Sequence, residues 1–358
     1  MPSRIKSLDI LRALAVLLVL CRHIMRAYPT NNEFLSNFVH ILRRSGWCGV
    51  DLFFVLSGFL ISGLLFKEHL KYQTISFTRF FIRRGLKIYP LFYLMIFFTL
   101  ALSYLPHCWI AEIFFMQDYF PSAWEHTWSL GVEEKFYLLL PLLFLAAPRI
   151  CRSKNSDFGW IPVVSLIIGL SCLLLRLLTH FFDPHPANYL LTEVFPFHLR
   201  MDSLFCGVVI SYYYHYHTST FKKIAQKYKY LFLVLGITLF IPAFLLELNS
   251  PFILTFGFTL LYLGSGLVLI AVVDAPLKPG RWTAVLAYIG ANSYAIYLWH
   301  MPVERLYVRY QGLLPQGWSN WYSYIFCYFV GSLALGIIMS RVIDQPILKW
   351  RDKILPRL

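Results

Sequence analysis

Long apolar runs, roughly 18 to 22 residues each and repeated along the whole chain, constrain what this sequence can fold into more than any other feature. In lipid no water satisfies the backbone, so such a run spans only as a helix or as part of a closed barrel. The runs are continuously apolar and lack the alternation of barrel strands, which predicts an all-α polytopic membrane helix bundle. About ten transmembrane helices are read, over 8–27, 47–66, 88–105, 128–147, 160–180, 197–216, 230–246, 252–272, 284–301 and 321–343. Of the 358 residues, 58% are hydrophobic and only 14% charged, so no stretch remains for a sizeable soluble domain. A single integral-membrane domain over 1–358, with no fused soluble domain, is the expectation.

Charge placement orients the bundle. Putting the N-terminus inside gathers most of the 32 Lys and Arg on one side, among them Arg4, Lys6, Arg79, Arg83, Arg84, Lys87, Arg152, Lys154, Lys222, Lys223, Lys278, Lys349 and Arg357. The other side keeps Arg26, Arg43, Arg44, Arg305 and Arg309. This bias predicts N-in and C-in with an even number of crossings. The net charge of +14 is thereby explained by topology, and no basic domain for nucleic acid is present. Arg4 and Lys6 ahead of the first run imitate a signal peptide, but no small-residue cleavage site follows. The seven cysteines, Cys108 and Cys151 among them, are scattered and never spaced as CxxC, so neither a disulfide framework nor a zinc site is expected.

Polar residues inside the apolar runs then become informative. In "LDILRALAVLLVLCRH", Arg12 and His23 are 11 residues apart, close to three turns, so they share one face about 16 Å apart along the axis. An arginine near the bilayer interior costs on the order of 2.5 to 3.5 kcal/mol, which a function or a buried partner must offset. "GWCGVDLFFVLSGFLIS" brings in Asp51 and "HTWSLGVEEKFYLLLP" brings in Glu133 and Glu134, at a depth similar to His23; later runs add Arg176, Arg200 and Asp202 to the outer half, and "NSYAIYLWH" ends with His300. A histidine beside a carboxylate makes a general base, and Asp51 or Glu133 is expected to orient His23. Trp128, Glu134, Arg200 and His300 are read as acceptor contacts. "RFFIRRGLKIYP" packs Arg79, Arg83, Arg84 and Lys87 before a run; it serves as a topology anchor or as a site for phosphates. Gly58/Ser62 and Ser203/Gly207, each at four-residue spacing, predict close helix packing.

Taken in order, Arg12-x10-His23, "GVDLFFVLSGFLIS", "RRGLKIYP", "TWSLGVEEKFYLLLPLL", "RMDSLFCGVVIS", "SYAIYLWH" and "DQPILKW" resemble acyltransferase family 3, integral-membrane O-acyltransferases of bacterial surface glycans. The resemblance implies a ten-helix core in the bacterial inner membrane. It implies transfer from cytoplasmic acyl-CoA, usually acetyl-CoA, to a sugar hydroxyl at or near the outer face, on a glycan such as lipopolysaccharide O-antigen or on a lipid-linked sugar. Carried over residue by residue, His23 is catalytic, Arg12 is its partner on the same helix, and Arg84 with position 87 forms the basic donor-side pair, joined here by Arg83. Lys87 stands where the family pattern more often has Arg, which keeps the charge and loses the bidentate fork. The expected partners are acyl-CoA, the glycan and membrane lipids, with no metal and no nucleic acid. The competing expectation is a proton-coupled transporter or exporter of a glycan precursor, with His23, Asp51 and Glu133 as its relay; the RRxxK cluster favours the enzyme.

Overall fold

Apolar stretches with few chain breakers and few β-branched runs leave the backbone one economical solution, and every regular element of the described residues is helical. The structure, a computed structural model, describes residues 5–24, 32–101, 108–150, 158–276, 278–313 and 320–356. Arg4, Arg26, Arg152, Lys154 and Arg357 of the charge pattern, together with Cys151, lie outside the described residues. In chain order the helices are α1 (Lys6–Arg22), α2 (Glu33–Ser45), α3 (Gly49–Tyr72), α4 (Phe77–Ala101), α5 (Trp109–Ile113), α6 (Trp128–Ile150), α7 (Ile161–Phe182) and α8 (Phe197–Tyr216). They continue as α9 (Thr218–Lys227), α10 (Lys229–Thr238), α11 (Ile241–Leu245), α12 (Phe258–Val272), α13 (Arg281–Ala291), α14 (Ser293–Tyr310), α15 (Trp321–Met339) and α16 (Gln345–Ile354). Side-chain caps start two of them: Asn32 accepts from the Leu35 N–H at 3.1 Å and Asn320 from the Ser323 N–H at 2.9 Å.

Where its residues are described, each apolar run of the sequence lies mainly on helix, although 230–246 breaks between α10 and α11 and 284–301 breaks at Asn292. Among the described residues, four helical stretches, Glu33–Tyr72, Ile161–Phe182, Ile253–Val272 and Trp321–Ile354, are long and apolar enough to cross a membrane by length and composition. Thr218–Lys227 with Lys229–Leu245, bent by 73°, makes a fifth if the pair is one span. Elsewhere the helices are either short, as α1 with 17 residues, or carry the charges that drew attention above, Arg79, Arg83, Arg84 and Lys87 on α4 and Glu133, Glu134 and Lys135 on α6. The chain is a membrane helix bundle.

The chain divides into two compact units. The first comprises 1–49, 82–106 and 277–357. Here α1 lies against α13 so closely that a Cβ at Gly290 would overlap the carbonyl of Asp9, and α15 approaches α14 with Gly336 against the backbone of Ile296. Tyr328 donates to the Leu20 carbonyl at 3.0 Å and Tyr294 to the Ile88 carbonyl at 2.7 Å, which ties α15 to α1 and α14 to α4.

The second comprises 50–81 and 107–276, with residue 358. Its α3 and α8 meet through the expected small residues: a Cβ at Gly58 would overlap the Leu204 carbonyl, and one at Gly207 the Val55 carbonyl. Two fully buried arginines are held in the same unit. Arg176 pairs with Asp202 at 2.8 Å and donates to the carbonyls of Leu199 at 2.6 Å and Thr255 at 3.1 Å. Arg200 pairs with Asp51 at 2.7 Å and donates to the Val194 carbonyl at 3.3 Å. Thr255 and Val194 both belong to π turns, Ile253–Gly257 and Leu190–Val194. The wider turn releases carbonyls from the i→i+4 ladder, and the buried guanidinium groups take them.

Candidate active site

The first unit contains the arrangement that can do chemistry. α1 ends at His23, whose N–H still bonds the Leu20 carbonyl at 3.2 Å. Its side-chain Nδ1 lies 2.9 Å from the Val19 carbonyl. A carbonyl only accepts, so Nδ1 carries the hydrogen. The neutral ring then has its basic lone pair on Nε2.

His300 of α14 completes this assignment. Its own Nδ1 is 2.6 Å from the Tyr297 carbonyl and is therefore the donor, which makes its Nε2 an acceptor. That Nε2 sits 3.3 Å from Nδ1 of His23, and the two rings meet edge-on with centroids 4.9 Å apart. His23 is half-buried, His300 fully buried. Both tautomers are set by helix carbonyls, and the two assignments agree.

The sequence reading expects a carboxylate, Asp51 or Glu133, to orient His23; the structure brings the Val19 carbonyl and the His300 ring to its Nδ1. Asp51 is spent on Arg200, and Ser203 lies 3.4 Å from the same oxygen. Glu133 accepts from the Tyr137 hydroxyl at 2.6 Å, which in turn is 3.0 Å from Ser57 Oγ. Among the residues read as acceptor contacts, Trp128 is buried, stacked on Phe195 with centroids 4.7 Å apart and 5.4 Å from the Arg200 guanidinium. Arg200 is 1% exposed, so both belong to the interior of the second unit. Glu134 is half-buried on α6. Its neighbour Lys135 anchors the preceding loop, donating to Asp118 at 2.6 Å and to the Phe115 carbonyl at 2.7 Å. Burial pushes the Asp118 carboxyl up, and Lys135 opposes that shift.

The basic cluster is likewise partnered. Lys87 is ion-paired with Asp344, the last residue of the π turn Ser340–Asp344. Arg83 pairs with Asp352 at 2.8 Å and also donates to the Leu355 carbonyl, while Arg351 donates to the Arg83 carbonyl at 3.3 Å. Arg12 lies 3.8 Å from Asp9. Arg12 and Arg84 are both near enough to Lys87 to repel it electrostatically. Cations from α1 and α4, Arg12, Arg84 and Lys87, thus lie near one another. Arg and Lys so grouped suit a polyanion such as a nucleotide phosphate. Sequence reasoning missed the carboxylate partners, Asp344, the first residue of "DQPILKW", and Asp352, two residues beyond it; neither carried a sign of which cation it would meet.

The chain is similar to the peptidoglycan O-acetyltransferase OatA of Listeria monocytogenes, 28% identical over 345 residues, covering 84% of this chain and 50% of the relative. It is also similar to the O-acetyltransferase OatA of Staphylococcus aureus, 28% identical over 379 residues, covering 97% of this chain and 58% of the relative. The chain therefore spans between half and three fifths of the length of these curated relatives. No solved structure matches it. The acyltransferase domain of family 3 matches residues 5–341, nearly the whole chain, and to that family this protein belongs.

Proposed function

We propose that this chain moves an acetyl group from acetyl-CoA on the cytoplasmic side of the bacterial inner membrane to a hydroxyl of a cell-envelope glycan at the outer face. The observation that carries the reading is the tautomer of His23: with Nδ1–H given to the Val19 carbonyl, Nε2 is the basic nitrogen, as a general base requires. Family membership and the O-acetyltransferase names of the relatives support the reaction type. One relative is named for peptidoglycan, so peptidoglycan stands beside lipopolysaccharide O-antigen as the acceptor.

In this mechanism Arg12, Arg84 and Lys87 bind the donor's phosphates at the N-terminal part of α1, and the acyl-pantetheine arm reaches toward His23 at its other end. About 16 Å of helix separates the two, within reach of an extended pantetheine. Nε2 of His23 takes the proton of the acceptor hydroxyl as its oxygen attacks the thioester carbonyl. Collapse of the tetrahedral adduct breaks the C–S bond, and the proton passes from His23 to the CoA sulfur.

The test is mass spectrometry of fractionated envelope glycans from cells with and without the gene. Loss of an acetyl increment confined to the peptidoglycan or to the lipopolysaccharide fraction names the acceptor. Identical acetylation in both strains, in every fraction, overturns the reading.

A further inference from the structure

We propose that His300 is a positioning residue of the transfer reaction, acting through its Nε2, which shares the Nδ1–H of His23 with the Val19 carbonyl as the second, longer acceptor of a three-centre hydrogen bond. The inference rests on the acetyl-transfer reading above and deepens it, because neither the family match nor the relatives' names assign a role to this position.

Burial makes the case. A fully buried imidazole loses its hydration and is tolerated where its nitrogens find partners. For His300 they include the Tyr297 carbonyl at 2.6 Å and His23 at 3.3 Å. The first locks the tautomer, and the second is the consequence: a lone pair held against the one N–H of His23 that is not used in proton transfer. Pro302 lies two residues on within α14, and residues Ala295 to Met301 are all buried, so the ring is carried on a packed helix rather than a loop.

The choice of a neutral acceptor has a chemical consequence. When Nε2 of His23 takes the acceptor's proton, the ring becomes an imidazolium whose Nδ1–H is a charged donor. Hydrogen bonds to charged groups are stronger than neutral ones, so the bond to His300 tightens as the transition state is approached. A carboxylate in the same place would stabilise the imidazolium more, at rest as well as in the transition state. A neutral imidazole favours the charged state only as it develops. His300 keeps its own proton on Nδ1 throughout, and the transferred proton goes from the hydroxyl to His23 and then to the CoA sulfur.

The experiment uses membrane vesicles bearing the full chain, radiolabelled acetyl-CoA and the acceptor glycan already present in those membranes, with alkali-labile label in the glycan fraction as the rate. His300→Phe keeps an aromatic ring and removes the acceptor; His300→Gln keeps an acceptor oxygen near the place of Nε2. The expected result is a rate about ten- to a hundredfold lower for His300→Phe, per folded chain, with acetyl-CoA affinity unchanged. His300→Gln is expected to recover most of that loss, which mere space-filling would not produce. Should His300→Phe fail to reach the membrane, His300→Met takes its place, with the same expectation. A wild-type rate in the variant lacking the acceptor overturns the inference, as does an equal loss in His300→Gln. Wild-type vesicles that put no label into any glycan overturn the acetyl-transfer reading itself, a result separable from both.

Discussion

At the scale of single residues, the transfer reading depends on His23, whose Nδ1 lies 2.9 Å from the Val19 carbonyl. Arg12, His23 and the RRxxK group were legible because charges inside apolar runs are costly and so carry information. Their partners were not, since a contact such as His23 with His300 spans 277 positions of sequence. His23→Gln is expected to reach the membrane and bind acetyl-CoA normally while transferring acetyl groups at least about a hundredfold more slowly, as measured by CoA release. The basic cluster divides by partner. Arg84→Ala is expected to weaken acetyl-CoA binding roughly ten- to a hundredfold, read by calorimetry on purified protein. Lys87→Ala carries a second effect, because Asp344, only 7% exposed in its side chain, loses its ion pair. The expected cost is roughly 1 to 3 kcal/mol of stability, and Asp344→Ala in the same chain should return part of it. Thermal unfolding of the two single variants and the double variant in detergent checks this coupling; strict additivity would show that the pair contributes nothing.

At the scale of helices, glycines and π turns decide how the elements meet. The four-residue spacings Gly58/Ser62 and Ser203/Gly207 read from sequence as close packing, and α3 and α8 do cross there with backbone against backbone. Gly290, where α13 rests on the carbonyl of Asp9, carried no comparable spacing signal. Adding a methyl at a backbone-to-backbone contact forces the helices apart, at a cost typically of about 1 to 3 kcal/mol or more. Gly207→Ala and Gly290→Ala are therefore expected to lower the unfolding temperature of the purified protein clearly. Gly312→Ala is the control, because nothing lies within 4 Å of the position its Cβ would take. Equal melting of all three would remove the packing argument. The π turns were invisible in sequence: their residues are ordinary helix formers, and it is the demand of Arg176 and Arg200 for carbonyls that rewards the wider turn.

At the scale of the whole molecule, the Lys and Arg bias predicts that Cys108 faces the exterior and Lys223 the cytoplasm. A membrane-impermeant maleimide applied to intact cells is expected to label a chain whose sole cysteine is Cys108 and to spare one whose sole cysteine is Lys223→Cys. The opposite pattern would invert the topology and with it the donor side. What the sequence determined alone was the class of structure and the reaction family, because hydrophobic length, helical periodicity and charge cost are local properties that need no partner to be read. What only tertiary structure decided was the pairing among the buried polar groups. Asp51 and Arg200 pair with each other inside one unit, while His300 meets the ring of His23. The reason is the price of burying charge: every polar group in such an interior must find a partner, and which partner it finds depends on helix crossings that no stretch of sequence contains.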